Sequence, residues 1–540
     1  MTGTGGASGT RLHPLSIPYR AGTRIVEFGW ALVLALFGAS SGLVASYRWY
    51  AIGAVALLVL AVLAYQVAEY RRFQYALTAE TLDIDSGVLS RREREIPLGR
   101  VQNVDVSQNV VQRVLGIATV NVETAGGGET EAVLACVSTE EAERLQREIR
   151  RRKRALEGDG DEETEAGEPE PTGAETPDEV VFELDDRSLF LVSVLSFDPR
   201  LASVVFGAQP FIWPVLAPML ESVVSGLSLA VLVLAAAAVT LVGVVLLWTA
   251  SAARTFARYY GFRLTRDGDD LRYERGLLQR YSGTIPLEKL QTLVVTENVL
   301  MRRYGYAALR VETAGYAPGS GSSGGSATVV PLADREAVFA LGQRLEPFEV
   351  PEFERPPARA RRRYLGRYAL AVAGLLAVTT LVDQFVVAYP LWWTPALLFA
   401  LVPVAAHYKY VNLGYAATEN HAFARRGFFA RHTHVVPYYR VQTVVRRATV
   451  FQRRWGLADV VVDTAGSGGG TSGDAVVQDI DAERAAGLAD GVADRLRTAL
   501  RERVRARRER NKQKRNGRER REDGRERTDQ GGVSERDDAA

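Results

Sequence analysis

The sequence predicts a multi-pass α-helical membrane protein that carries three copies of one β-rich domain, each a small β-barrel or sandwich closed by a C-terminal helix. Two observations support this fold class: long apolar segments occur in pairs, and one motif recurs after each pair. Hydrophobic residues make up 47% of the 540 residues and charged residues 24%. Because the two kinds occupy separate stretches, the average composition hides the membrane spans.

About 20 mostly apolar residues are needed for a helix to cross a bilayer. Six segments approach this length, as three pairs within 25–67, 188–250 and 367–407. A short turn joins the two members of each pair, so they are expected to be antiparallel. Residues 201–220 contain three prolines, which kink helices, so this segment is either a span or a re-entrant helix.

Basic residues predict the orientation of these spans. The flanks that lead to the β-rich domains are rich in arginine and lysine, whereas the short turns within the pairs contain only Arg48. Positive charge favours the cytoplasmic side. We therefore expect a plasma-membrane protein with its domains and both termini in the cytoplasm.

One sequence motif occurs three times in the chain, and the residues around it keep the same spacing each time. The chain reads IPLGRVQNV from Ile96, IPLEKLQTL from Ile285 and VPYYRVQTV from Val436. The prolines are offset by 189 and then 151 positions, and a glycine 19 positions after each proline repeats both offsets. The motif positions are Pro97, Arg100 and Gln102; Pro286, Lys289 and Gln291; and Pro437, Arg440 and Gln442. The glutamine and the basic residue either line a binding groove or satisfy backbone groups and ion pairs, and we favour the structural role.

The surrounding pattern identifies the kind of domain. Short alternating β-branched runs indicate antiparallel strands, and an amphipathic helical stretch ends each copy. Together with a later [QM]-R-x-x-G-x-A stretch, the motif resembles the membrane-flanked prokaryotic PH-like domain family, in which paired transmembrane helices lead into a PH-fold barrel. The resemblance covers nearly the whole chain and implies architecture far better than activity.

These patterns divide the chain into ten parts. We predict an N-terminal segment (1–24), helix pair 1 (25–67), PH-like domain 1 (69–153), an acidic linker (154–187), helix pair 2 (188–250), PH-like domain 2 (253–346), a connector (347–366), helix pair 3 (367–407), PH-like domain 3 (408–500) and a basic disordered tail (501–540).

Arginines near the first hairpin of each copy are the candidate binding residues. Guanidinium groups suit phosphate, and a basic residue beside an anionic leaflet contributes about 1 kcal/mol. We predict contact with anionic lipid head groups, with ordinary solubilising charge as the alternative. The residues are Arg91, Arg92 and Arg94; Arg272, Arg275 and Arg280; and Arg425, Arg426 and Arg431.

No catalytic pattern repeats. An acidic residue precedes a Thr-Ala-Gly sequence that is present in all three copies, at Glu123, Glu312 and Asp463, but no histidine or nucleophile recurs with it. We therefore predict no catalytic residues, metal, cofactor or enzymatic activity. The arginine-rich tail lacks interleaved aromatic residues, so specific nucleic-acid binding is not expected.

The sequence favours a membrane scaffold whose cytosolic PH-like domains meet anionic lipid head groups or protein partners. The family resemblance also implies a small membrane partner of the same layout. Two alternatives remain: a component of a membrane export or envelope-stress and resistance system, and a membrane enzyme.

Overall fold

The computed structural model describes residues 10–24, 48–88, 90–124, 132–156, 179–196, 229–314, 326–385, 392–465 and 474–501, with residues 505 and 509. The predicted spans at 25–47 and 201–220, most of the acidic linker and nearly all of the basic tail lie outside these ranges. The chain divides into two compact units, Met1–Leu290 with Glu297–Ala340, and Gln291–Thr296 with Leu341–Ala540.

The helices fall into three kinds: those before or within the membrane segments, one short helix inside each repeat, and one closing helix per repeat. They are α1 (16–24), α2 (Arg48–Arg72), α3 (Val110–Val114), α4 (Thr139–Leu156), α5 (Asp186–Leu195), α6 (Leu229–Tyr259), α7 (Val299–Tyr304), α8 (Arg335–Leu345), α9 (Ala358–Phe385), α10 (Val402–Val411), α11 (Val450–Arg454) and α12 (482–501).

The strands also recur in three sets. They are β1 (Thr10–Arg11), β2 (Gln74–Leu77), β3 (Thr81–Ser86), β4 (Arg92–Pro97), β5 (Val101–Asn109), β6 (Ile117–Thr124), β7 (Ala132–Ser138), β8 (Glu179–Glu183), β9 (Arg263–Asp267), β10 (Asp270–Arg275), β11 (Gln279–Pro286), β12 (Leu290–Asn298), β13 (Tyr306–Thr313), β14 (Ser326–Asp334), β15 (Gly414–Ala417), β16 (His421–Gly427), β17 (Ala430–Pro437), β18 (Val441–Arg447), β19 (Leu457–Thr464) and β20 (Ala475–Asp481).

The first unit contains a four-stranded sheet in the order β1-β2-β3-β4 and a seven-stranded sheet in the order β7-β6-β5-β11-β10-β9-β8. Alternating apolar residues of both sheets of repeat 1 bury against α4. For example, Leu82 on β3, Val120 on β6 and Leu145 on α4 are nearly inaccessible to solvent. This packing confirms the prediction of β-rich domains, each closed by a C-terminal helix.

The second unit contains strands in the order β12-β17-β16-β15 and a separate sheet in the order β18-β19-β20. The core of repeat 3 combines both sheets with α12, through residues such as Val436, Val460 and Val492. The two sheets of a PH-like repeat are thus held together mainly by the burial of apolar side chains between them.

Two helices in the described ranges are long and apolar enough to cross a membrane, Thr240–Tyr259 at the end of α6 and Ala358–Phe385, which is α9. The sixth predicted segment is not one regular α-helix, because a 3-10 helix at Thr394–Leu401 precedes α10. Pro395 and Pro403 cannot donate backbone hydrogen bonds, which explains the irregularity.

Each segment that precedes a predicted helix pair also pairs with the repeat that follows it. Thr10 pairs with Tyr75, Phe182 with Leu264, and Glu354 forms a bridge with Tyr415. Residues 179–183 lie within the predicted linker 154–187, so the folded part of repeat 2 begins before its membrane helices. The N-terminal segment 1–24 and the connector 347–366 likewise hold residues of repeats 1 and 3.

The repeated proline motif forms the turn between the two sheets. In each copy the proline precedes a three-residue 3-10 helix that ends in the basic residue, at Leu98–Arg100, Leu287–Lys289 and Tyr438–Arg440. Proline fixes the φ that this turn requires. The glutamine that follows has no common environment, because Gln291 is buried, Gln442 is exposed and the side chain of Gln102 is not described.

The later motif is a capped helix. Asn109, Asn298 and Thr449 accept a hydrogen bond from the backbone of the third residue of α3, α7 and α11, respectively. The repeated glycines then take positive φ angles of 67°, 79° and 62° at Gly116, Gly305 and Gly456. These residues are therefore shared because they begin and end the same short helix.

Replacing Gly427 with alanine is expected to lower the free energy of unfolding of repeat 3 by about 1–3 kcal/mol. Gly427 has φ +138°, and an added Cβ would lie 1.8 Å from the carbonyl oxygen of Ala430. Gly487→Ala on α12 is the control, since nothing lies within 4 Å of its Cβ position. Thermal unfolding of the detergent-solubilised chain measures both, and equal midpoints for the two variants would contradict the expectation.

Candidate membrane-facing site

The tip of the first-sheet hairpin in repeat 2 contacts the C-terminal end of α6. The amide of Gly276 donates to the carbonyl of Tyr260 at 2.8 Å, and that of Leu277 to the carbonyl of Ala257 at 2.7 Å. Leu277 and Leu278 remain 38% and 58% exposed. Because α6 is long and apolar enough to cross a membrane, the hairpin tip lies at the end of a candidate span.

Repeat 3 places its hairpin in the same way. The ring of Phe428 packs edge-on against Tyr408 and Tyr368, with centroids 5.7 and 6.1 Å apart. Asn412 donates to the carbonyl of Phe428 at 3.3 Å, and Phe429 is 42% exposed. The hairpin tip of this repeat therefore also lies beside helices of its predicted membrane segment.

These tips share a sequence signature that follows the repeat. Glycine and two apolar residues occur at 87–89, 276–278 and 427–429, with the offsets of 189 and 151 seen for the proline motif. The glycine is required, since all three have positive φ. The apolar pair was missed by reasoning that looked for repeated polar and charged positions.

The short helices present a second apolar pair. In each, the first two residues are apolar and exposed, and the arginines that follow them lie on the same short helix. The pairs are Val110 and Val111, Val299 and Leu300, and Val450 and Phe451. The following arginines are Arg113, Arg302 and Arg303, and Arg453 and Arg454. Exposed apolar groups next to basic residues are typical of surfaces that meet an anionic membrane.

Capping residues place these short helices beside the chain's entry into the membrane segments. The Asn109 side chain donates to the Tyr19 hydroxyl on α1, and that of Asn298 to the carbonyl of Leu195 at the end of α5. Both α1 and α5 lead directly into predicted membrane segments. The short helices of repeats 1 and 2 thus lie beside the helices that lead into the predicted membrane segments.

The predicted arginines fall into different environments. Arg91, Arg92 and Arg94 are exposed, and Arg280 pairs with Glu274 at 3.1 Å. Arg272 also contacts Glu274, at 3.3 Å. Arg425 lies over the ring of Phe353, 3.7 Å from its centroid. Arg426 and Arg431 are half-buried.

Arg275 is buried among aromatic rings. Its guanidinium carbon lies 5.5 Å from the ring centroid of Tyr259 and 5.6 Å from those of Tyr273 and Tyr281. Such cation–π contacts stabilise a desolvated cation. The hairpin arginines of repeat 2 therefore comprise one buried cation and two that pair with a carboxylate.

A half-buried lysine marks the corresponding part of repeat 3. Lys409, near the end of α10, donates to Gln478 at 3.2 Å and lies 5.9 Å from the ring centroid of Tyr364. Burial, and then the positive charge of Arg367, lower the pKa of Lys409 to about 8. The carboxylates of Asp479 and Asp459 act in the opposite direction, because they favour the charged lysine.

The lowered pKa of Lys409 predicts a pH-dependent stability. Between pH 8 and 10 the unfolded chain binds more protons at this lysine than the folded chain, so stability rises with pH. We expect a gain of about 1–2 kcal/mol over this window, which Lys409→Met removes. Thermal unfolding of both chains from pH 7 to 10 measures it, and an unchanged slope in the variant would disprove the assignment.

Neither a catalytic set nor a metal site emerges in the described ranges. No group of three or more His, Cys, Asp or Glu side chains there is arranged to hold a metal ion. Glu312 is buried and Asp463 half-buried, while the side chain of Glu123 is not described.

The repeats and their membrane helices define the class as a membrane protein of tandem PH-like domains. The chain belongs to the Bacterial PH domain family, which matches residues 31–153, 224–347 and 366–496. This confirms the family resemblance. The UPF0699 transmembrane protein YdbT of Bacillus subtilis (strain 168) is 25% identical over 465 residues, which cover 82% of this chain and 90% of YdbT. YdbS, another UPF0699 transmembrane protein of that strain, is 32% identical over 110 residues, 20% of this chain and 67% of YdbS. No solved structure matches the chain.

Proposed function

We propose that this protein is a non-enzymatic, multi-pass scaffold of the plasma membrane, whose cytoplasmic PH-like domains dock on anionic lipid head groups. The observation that carries the proposal is the pairing of exposed apolar tips with arginines beside the ends of membrane helices. In repeat 3, for example, Phe429 and Phe451 are 42% and 73% exposed, and Arg453 and Arg454 follow Phe451 closely.

The two kinds of side chain act on different parts of a bilayer. Apolar tips gain free energy when they leave water for the acyl boundary, at roughly 25 cal/mol per Å². Arginines gain from the negative surface potential of the cytoplasmic leaflet and from hydrogen bonds to phosphate. A surface that combines them binds anionic membranes more strongly than neutral ones.

Hydrogen exchange in nanodiscs tests this function. The full chain is reconstituted in phosphatidylglycerol or in phosphatidylcholine, and exchange is followed at residues 427–431 and 450–455. We expect slower exchange in the anionic lipid, while residues 482–500 of α12 exchange alike in both. Equal exchange of the tips in both lipids would reject the proposal.

A further inference from the structure

Strand pairing joins successive repeats in this protein. In the first unit, β11 of repeat 2 pairs antiparallel with β5 of repeat 1, with Gln279 opposite Asn109 and Tyr281 opposite Ser107. The second sheet of one repeat therefore continues into the first sheet of the next. We refer to this arrangement as the strand joint.

The same joint recurs between β12 and β17 in the second unit, where these strands are neighbours. Thr296 is the equivalent of Ser107 at the offset of 189, and His432 is the equivalent of Tyr281 at the offset of 151. Thr296 and His432 do contact each other, at 3.1 Å between Oγ1 and Nδ1. The register of the joint is thus kept in both places.

In repeat 3 the equivalent strand, β18, has β19 as its neighbour in a three-stranded sheet, and no second neighbour within the described ranges. The exposures differ accordingly. Val445 is 44% exposed, whereas the equivalent Asp105 and Val294 are 7% and 5% exposed. The strand that is covered in repeats 1 and 2 is open in repeat 3.

The side chains of β18 indicate what covers it. At the position of Arg446 the first two repeats have Val106 and Val295, and at the position of Arg447 they have Ser107 and Thr296. Both arginines are exposed. Arg447 has one weak contact, 3.9 Å from Asp459. Two arginines on an open edge repel a basic strand, and pairing with a neutral strand would bury their charges without a partner. They therefore protect the edge from non-specific pairing. A strand that carries carboxylates opposite them satisfies both charges.

We propose that β18 is the docking edge for a PH-like domain of a separate polypeptide. The strand of that domain equivalent to β11 pairs with β18 as β11 pairs with β5, and it carries acidic residues opposite Arg446 and Arg447. A second copy of this chain fits less well. In the joint register its β4 would place Glu93 opposite Arg446, but Arg92 opposite Arg447.

Photo-crosslinking of the full chain in its native membranes tests the proposal. A photoreactive phenylalanine replaces Val445, and in a control chain it replaces Leu500 on α12, which is 45% exposed. We expect a defined protein adduct from position 445 alone, with the crosslinked peptide on the strand equivalent to β11 in a PH-like domain. Arg446→Glu with Arg447→Glu should lower its yield at least tenfold, whereas Arg497→Glu with Arg501→Glu on α12 should not.

Three results would overturn the inference. The first is a yield at position 445 no greater than at position 500, and the second is an adduct to lipid or to a protein without this fold. The third is an adduct to residues 92–97 of a second copy, which would assign the edge to self-assembly. Slow hydrogen exchange at residues 427–431 and 450–455 in anionic nanodiscs would be unaffected by any of these, so this inference and the proposed function fail independently.

Discussion

Asp479→Asn is expected to lower the free energy of unfolding of repeat 3 by about 3–5 kcal/mol, the range for removing one partner of a buried ion pair. The Asp479 carboxylate is buried and accepts hydrogen bonds from Arg363 and from the Tyr364 hydroxyl. Gln452 on α11 donates to it as well, at 2.9 Å. The change leaves Arg363, whose side chain is 15% exposed, beside a neutral group.

The backbone does not account for this effect. Asp479 has φ +55°, a conformation that asparagine also tolerates. Asp481→Asn is the matched control, because its ion pair with Arg359 leaves both side chains 39% exposed and should contribute less than about 1 kcal/mol. Hydrogen exchange at β19 and β20 in the detergent-solubilised chain reports both, and similar protection in the two variants would refute the prediction.

This carboxylate also connects the domain to a candidate membrane span. Arg363 and Tyr364 lie on α9, which is long and apolar enough to be a span. A double-mutant cycle of Arg363→Met and Asp479→Asn should therefore show a coupling free energy of about 0.5–3 kcal/mol. Purely additive effects would mean that the domain and the helix are stabilised separately.

Much of the architecture follows from local patterns in the sequence. The register of Pro97, Pro286 and Pro437 predicts three copies, because one turn needs the same residue in each. Helix caps and positive-φ glycines recur for the same local reason. The predicted closing helices are confirmed at Thr139–Leu156, Arg335–Leu345 and 482–501.

Contacts between distant elements could not be predicted in this way. The strand joint pairs β5 and β11, which belong to different repeats. The alternation of apolar and polar residues along each strand would be the same whether or not the two strands paired. Arg275 resembled the other hairpin arginines, but its three tyrosines come from α6, β10 and β11. Three-dimensional proximity, which the motif does not encode, determines its burial.

Phe429→Ser with Phe451→Ser is expected to weaken docking of repeat 3 on an anionic bilayer about a hundredfold. Each ring loses about 1.5 kcal/mol or more of apolar burial, and each 1.4 kcal/mol is a factor of ten. The single native cysteine, Cys136, is buried, so a fluorophore at Val450→Cys labels one site. Quenching of this fluorophore by brominated phosphatidylglycerol in nanodiscs measures docking of the full chain.

The arginines should behave differently from the rings. Arg453→Gln with Arg454→Gln removes about 1 kcal/mol per residue, and this loss should shrink as salt screens the leaflet, while the effect of the phenylalanines should persist. A fluorophore at Leu500→Cys on α12 gives the quenching of a site away from the tips. If position 450 is quenched no more than position 500, the apolar tips do not enter the bilayer, and their exposure requires a protein partner instead.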